Sequence, residues 1–354
     1  MVKIIKNVNL NGSLTDITIK DGIIADIGKT DEEGVDFGGA KIYPGLIDVH
    51  SHGCIGMEAN GGELEKMAKY LLQHGTTTWY PTTSTVSAAE IASACHCNIE
   101  IEGGASIPGF HLEGPFINPD YKGAQNGEYV IPPSMELFEM CGGIEKVKKI
   151  TVAPEVDGAI EFIKSCPAIV SIGHTAADYK TAKLAFEAGA KSLTHTFNRM
   201  PPMLHRDPGP IPAGAECNAY AEVICDGIHV HPAMVRALVN LYGEDRIIFV
   251  SDSVSAAGLP DGTYDLGGIP IIVKNGQPYT EGGALAGSSV TLLHCVRCAV
   301  KFGIPERLAF KFATENPARQ MGLNKGKIEV GYDADFVIVD ENLNLIKAIA
   351  RGEF

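Results

Sequence analysis

Short apolar runs alternate along the middle of the chain with segments of helical period, the pattern of βα units feeding a parallel sheet. The runs fall at 46–50, 76–80, 109–113, 150–153, 169–173, 192–195, 222–225 and 247–251. Between them, Leu64, Met67, Ala68, Leu71 and Leu72 share one helical face, and the segment stops at Gly75. Met234, Val235, Leu238 and Leu241 follow Pro232, which a first helical turn accepts, and Gly243 closes that segment. Eight strands in this alternation predict a (β/α)8, TIM-like barrel. An open doubly wound sheet competes, but no G-x-G-x-x-G stands at the first βα turn.

The chain ends read differently. Ile17 and Ile19, then Ile23, Ala25 and Ile27, alternate around Asp21-Gly22, a hairpin turn pair. Near the other end, Phe336-Val337-Ile338-Val339 reads as a short buried strand and 345–349 as another. Neither end holds enough apolar residues for a core of its own, so the two are expected to pair into one small β domain.

A chain of 354 residues suits one large barrel with an appendage. A formal charge of -14 argues against a nucleic-acid partner held by a broad basic surface, though it leaves room for a local anion site. No apolar run reaches the roughly 18 residues that span a membrane. The first six residues lack a signal-type apolar core, and nine scattered cysteines read as reduced thiols. A cytoplasmic location is expected.

Polar groups collect where the runs end. His50-Ser51-His52 closes the first, and residues two apart on a strand project to the same side, as two ligands of one metal must. Glu113 ends the third run before Gly114-Pro115, His174 ends the fifth, His195 the sixth and Asp252 the eighth. Singly, each is a solvated loop group or a satisfied core histidine. Jointly they crowd the carboxyl ends of five strands, where barrel active sites sit. Imidazole with carboxylate suits zinc, iron or manganese, zinc first, and excludes a soft thiolate site. Cys295-x-x-Cys298 lies in a helix-like stretch with no second pair, so a structural role is expected, as for Cys95 and Cys97; Trp79 is expected in the core.

These residues carry a resemblance. Tyr43-Pro44-Gly45-Leu46-Ile47-Asp48-Val49-His50-Ser51-His52-Gly53, His111-Leu112-Glu113-Gly114-Pro115-Phe116-Ile117-Asn118-Pro119, Gly173-His174-Thr175, Thr194-His195-Thr196-Phe197-Asn198-Arg199-Met200-Pro201, Arg206-Asp207-Pro208-Gly209, Asp226-Gly227-Ile228-His229, Ser251-Asp252 and Leu285-Ala286-Gly287-Ser288 resemble the N-acetylglucosamine-6-phosphate deacetylases of the amidohydrolase superfamily. The resemblance implies a barrel over 44–322 and a small β-sandwich built from 1–43 and 323–354. It implies a hydrolase that takes the acetyl group from N-acetyl-D-glucosamine 6-phosphate, giving D-glucosamine 6-phosphate and acetate. Glu113, His174 and His195 would hold a main divalent ion, His50 and His52 would help hold a second, and Asp252 would be the catalytic acid/base. Ala124, Gln125, Asn198, Arg199, Arg206, Asp226, Gly227, Ile228, His229, Leu285, Ala286 and Gly287 would line the substrate. Arg206 and His229 would clamp the phosphate, the arginine reaching across a homodimer.

Two positions depart from the family pattern. Gln125 stands where a histidine often polarises the acetyl carbonyl, and an amide cannot carry its positive charge. Arg199 stands where alanine is frequent. Both bear on the sugar isomer and the rate more than on the reaction class. Among rivals, a deacetylase of another acetamido sugar phosphate stays open. A cyclic-amide hydrolase would commonly have a lysine at the fourth strand's end, where none stands, and a non-catalytic barrel would be expected to have lost its ligands.

Overall fold

The computed structural model describes residues 2–354. All eight expected barrel strands are present: Leu46–Ser51, Thr76–Thr83, Phe110–Glu113, Val147–Val152, Ile169–Ile172, Ser192–Leu193, Tyr220–Ile224 and Ile247–Val250. Each pairs in parallel with its sequence neighbour. The eighth strand returns to the first, where Asp252 N–H donates to the His50 carbonyl at 2.9 Å. Helix Leu64–Gln73 buries the face read from its periodicity. Helix Pro232–Tyr242 buries Val235, Leu238 and Tyr242. Met234 and Leu241, expected on that buried face, are instead 36% and 41% exposed.

The barrel interior is polar. Asp48 and His50, His111 and Glu113, and Lys149 and Thr151 are same-side pairs on three strands, and all six are buried. Barrel interiors are usually filled by branched apolar side chains. Here the groups bond across strands: His111 Nε2 meets Thr151 Oγ1 at 2.8 Å, Thr151 meets Thr194 at 2.9 Å, and Thr194 donates to Ser171 at 2.7 Å. Such a network fixes side chains firmly when every member is satisfied.

The chain ends knit together as expected. Strands Val2–Leu10, Ser13–Lys20, Ile23–Ile27, Val35–Asp36 and Lys41–Pro44 join Phe336–Val339 and Leu345–Ile349 in one seven-stranded sheet. Lys41–Pro44 pairs antiparallel with Phe336–Val339, so the two ends are hydrogen-bonded neighbours. Their pooled core includes Ile5, Val8, Ile17, Ile24, Phe336 and Ile349. Asp21 and Gly22 have φ of 52° and 80°, the left-handed pair that a tight hairpin requires.

A three-stranded antiparallel sheet, Gly262–Leu266, Ile269–Lys274 and Gln277–Thr280, follows the last barrel strand and lies outside the sequence expectation. Its signals are Gly267-Gly268 and Asn275-Gly276 between alternating apolar positions. All nine cysteines are free; Cys295 and Cys298 are buried along helix Leu292–Lys301, and Trp79 is buried. Among the described residues no helix is long and apolar enough to cross a membrane.

Candidate active site and metal centre

His50, His52, Glu113, His174, His195 and Asp252 meet at the carboxyl ends of the strands. Glu113 is their centre. Its Oε1 lies 3.2 Å from His50 Nε2, 3.3 Å from His174 Nε2 and 2.9 Å from His195 Nε2, and its Oε2 lies 3.0 Å from His52 Nε2. Asp252 Oδ1 lies 3.5 Å from His50 Nε2 and 3.4 Å from His52 Nε2. His174, His195 and Asp252 have φ of 47°, 28° and 47°. Left-handed backbone costs a non-glycine residue about 1–3 kcal/mol and clusters at functional sites.

The imidazoles are oriented from behind. His52 Nδ1 faces the Thr82 carbonyl at 3.1 Å, and His174 Nδ1 faces the Tyr121 carbonyl at 2.9 Å. A carbonyl only accepts, so each Nδ1 carries the hydrogen and each Nε2 turns a lone pair inward. His50 Nδ1 faces Glu222 Oε2 at 3.1 Å, which sets the same tautomer. His50 Nε2 is buried with no hydrogen-bond partner. His174 Nε2 and His195 Nε2 approach to 3.0 Å. Lone pairs and a carboxylate facing one buried point call for a cation. Two triads, His50 with His52 and Glu113, and Glu113 with His174 and His195, bring their donor atoms within 4.8 Å of one another. Nitrogen and oxygen donors in such triads fit a borderline divalent ion.

The field agrees. Burial opposes charge on His50 and His52, yet Glu113 and Asp252 raise both, His52 to about 9. Burial pushes Glu113 up, but the charges of His50 and His174 hold it well below the usual carboxylate range.

Sequence reasoning missed the supports. Glu222, on the seventh strand, holds His50 and also accepts the His195 backbone N–H at 3.3 Å. Its other carboxylate oxygen contacts Lys149 Nζ, and both side chains are fully buried. The fourth strand therefore carries a lysine, at 149 within the strand and not at its end. A glutamate two residues inside a buried apolar run was the available signal.

A cavity of about 490 Å3 opens over the cluster. Ala124, Gln125, Asn198, Arg199, His229, Leu285 and Gly287 line it, together with Tyr121, Phe197 and Leu266, which sequence reasoning did not select. Gln125 Nε2 donates to Glu113 Oε2 at 2.6 Å, and its Oε1 accepts Thr85 N–H at 2.6 Å. The amide is thus anchored by Thr85 and donates one of its two N–H groups to Glu113. Asp226 stands behind the wall, its Oδ2 2.7 Å from His229 Nδ1 and its Oδ1 accepting the Ile228 and His229 N–H groups. Gly227, Ile228 and Ala286 do not line the cavity, and Arg206 lies on an exposed loop, its Nη1 2.7 Å from His205 Nε2.

Known proteins resemble this chain along most of its length. The amidohydrolase family profile matches residues 42–353. The N-acetylglucosamine-6-phosphate deacetylase of Lysinibacillus sphaericus is 36% identical, covering 95% of this chain and 92% of its own. The N-acetylgalactosamine-6-phosphate deacetylase of Escherichia coli O157:H7 is 32% identical, covering 95% and 93%. A Mycobacterium smegmatis N-acetyl-D-glucosamine-6-phosphate deacetylase variant, solved in complex with N-acetyl-D-glucosamine-6-phosphate, superposes with a TM-score of 0.90 at 29% identity, covering 100% of this chain and 98% of that one. The chain belongs to the amidohydrolase family, in the branch of the N-acetylglucosamine-6-phosphate deacetylases.

Proposed function

We propose that this protein hydrolyses the acetamide of N-acetyl-D-glucosamine 6-phosphate to D-glucosamine 6-phosphate and acetate. The observation that carries the reading is the convergence of four inward-facing imidazole nitrogens on Glu113, with Asp252 at their rim, beneath a cavity of sugar size. Glu113, His174 and His195 would hold one divalent ion, and His50 and His52 with Glu113 a second, zinc being the first candidate before iron or manganese. A bound ion supplies acidified water and polarises the acetyl carbonyl. Asp252 takes the proton of the attacking water on its carboxylate and returns it to the sugar nitrogen as the amide C–N bond breaks. Burial pushes Asp252 up while charge on His50 and His52 in the ion-free site holds it below the ordinary range, and a bound cation would take over that part.

The wall carries the substrate. Asn198, His229, Leu285 and Gly287 line the sugar's place, with Asp226 fixing the His229 ring. We assign the chemistry to a barrel of residues 44–322 and the appended sheet to 1–43 with 323–354. Reduced cysteines suit the cytoplasm. Exposed Met203, Leu204, Met234 and Leu241 lie near Arg206 in sequence or beside the Phe197 wall and favour a homodimer.

A panel of acetamido sugars, with and without 6-phosphate, tests the reading through released acetate. N-acetyl-D-glucosamine 6-phosphate is expected to turn over fastest. A preference for the galacto isomer would replace the sugar and keep the reaction. Asp252→Asn is expected to lower kcat by roughly 100- to 10,000-fold, the range of general acid–base groups; retention of a tenth of wild-type turnover would refute its role.

A further inference from the structure

An anionic sugar must find positive charge in a chain of -14. Among the residues lining the cavity, three are acids, Glu113, Asp120 and Asp252, and Arg199 is the single lysine or arginine. No hydrogen bond or ion pair occupies the Arg199 guanidinium among the described residues. A guanidinium is permanently charged and offers a rigid fork of donors that matches phosphate geometry.

The backbone is shaped around this side chain. Arg199 has a φ of 50°, and its carbonyl accepts Thr175 N–H at 3.0 Å, which fixes the loop beyond the sixth barrel strand. The side chain then runs across Gly123, itself at φ 61°. A Cβ at Gly123 would lie 2.7 Å from Arg199 Nε and 3.1 Å from its Cδ. Glycine at 123 therefore provides the close approach that lets the arginine lie along the cavity wall. His195, four residues earlier, belongs to the metal triad. One loop thus carries a ligand for the acetamide end of the substrate and a cation for its other end.

We propose that Arg199 determines specificity for the phosphorylated substrate by binding the phosphate from within the same chain. This rests on the deacetylase reading above and adds to it an anion ligand supplied in cis, separate from Arg206. The free Arg199 side chain beside the cavity supplies an anion ligand from the chain that holds the rest of the site, in addition to any from another subunit.

The test separates this inference from the reading it rests on. Calorimetry measures binding of glucosamine 6-phosphate and of inorganic phosphate to wild type, Arg199→Ala, Arg199→Lys and Gly123→Ala, without any turnover. Arg199→Ala is expected to weaken both by about 10- to 100-fold, the worth of charge-assisted hydrogen bonds, with lysine intermediate and Gly123→Ala weakened in the same sense. In turnover, Arg199→Ala is expected to raise KM for the phosphorylated substrate by a similar factor, to change kcat less than about threefold, and to leave the unphosphorylated sugar's kcat/KM unaltered. Unchanged phosphate affinity in Arg199→Ala, or equal losses on both sugars, overturns the proposal. Absence of acetate release from wild type would sink the deacetylase reading alone, because the binding arm still decides the role of Arg199.

Discussion

At the scale of single residues, the structure gives Gln125 a contact with Glu113 that the sequence did not announce. The sequence comparison suggested a weak replacement for a carbonyl-polarising histidine. In the fold one of its two amide hydrogens goes to Glu113 Oε2, and its oxygen accepts Thr85 N–H. A side chain held in this way orients Glu113 and keeps its second N–H free toward the cavity it lines. Gln125→Ala removes a hydrogen bond to a buried charged group, worth about 1.5–3 kcal/mol. The expected outcome is an ion affinity lowered about tenfold, read by elemental analysis across a chelator titration, with kcat at saturating metal reduced far less. A kcat loss that persists at saturating metal would return Gln125 to the carbonyl. The candidate ligands and Asp252 were legible as strand-end His, Glu and Asp, since those residue types have few bland reasons to recur at five strand ends. Gln125 was legible only as a departure, because its partner Thr85 is 40 positions away and nothing local announces the contact.

Among the elements, the strands were read correctly because they are buried and short, and apolar alternation survives in them. Their inward faces were not read. Asp48, Lys149, Thr151 and Glu222 look like interruptions in apolar runs until the barrel closes and brings them opposite one another. The three-stranded excursion at 262–280 was missed for a different reason: it buries little, and its turn residues are its main signal. The Lys149–Glu222 pair yields a prediction proper to this scale. Glu222 links the fourth strand to the first through His50. Glu222→Met alone strands a buried lysine and is expected to cost about 3–5 kcal/mol in denaturant unfolding. Adding Lys149→Met removes the stranded charge and is expected to recover most of that. Both variants leave His50 Nδ1 without its acceptor, so the ion held with His50 and His52 is expected to weaken by about 10- to 100-fold. A double variant that binds two ions like wild type would show that Glu222 serves only as the partner of Lys149.

For the whole molecule, the two chain ends close on each other beside the barrel. Phe197 lines the cavity on one side and, on the other, an apolar groove shared with Met203, Met234 and Leu241. Met203 is 40% and Leu204 54% exposed, and Arg206 follows two residues later on the same exposed loop. Exposed apolar side chains concentrated beside a site wall suit association, and a two-fold interface there would present each loop to the other chain. Leu241→Glu is expected to reduce the mass seen in light scattering from twice 37.6 kDa to a single chain. Complementation then tests whether the loop serves its neighbour. Asp252→Asn lacks the proton carrier and keeps Arg206, whereas Arg206→Ala lacks the loop cation and keeps Asp252. Refolded together in equal amounts, half the dimers carry one chain of each kind. In those, one site combines an intact Asp252 with Arg206 of the partner subunit. About a quarter of all sites are then complete, and a matching share of the low-KM activity on the phosphorylated sugar is expected to return. If Arg206 acts on its own chain, each mixed dimer contains only defective sites and no activity returns. With Arg199 binding phosphate in cis, the KM of the Arg206→Ala homodimer against that of wild type measures how much of the anion's grip comes from across the interface.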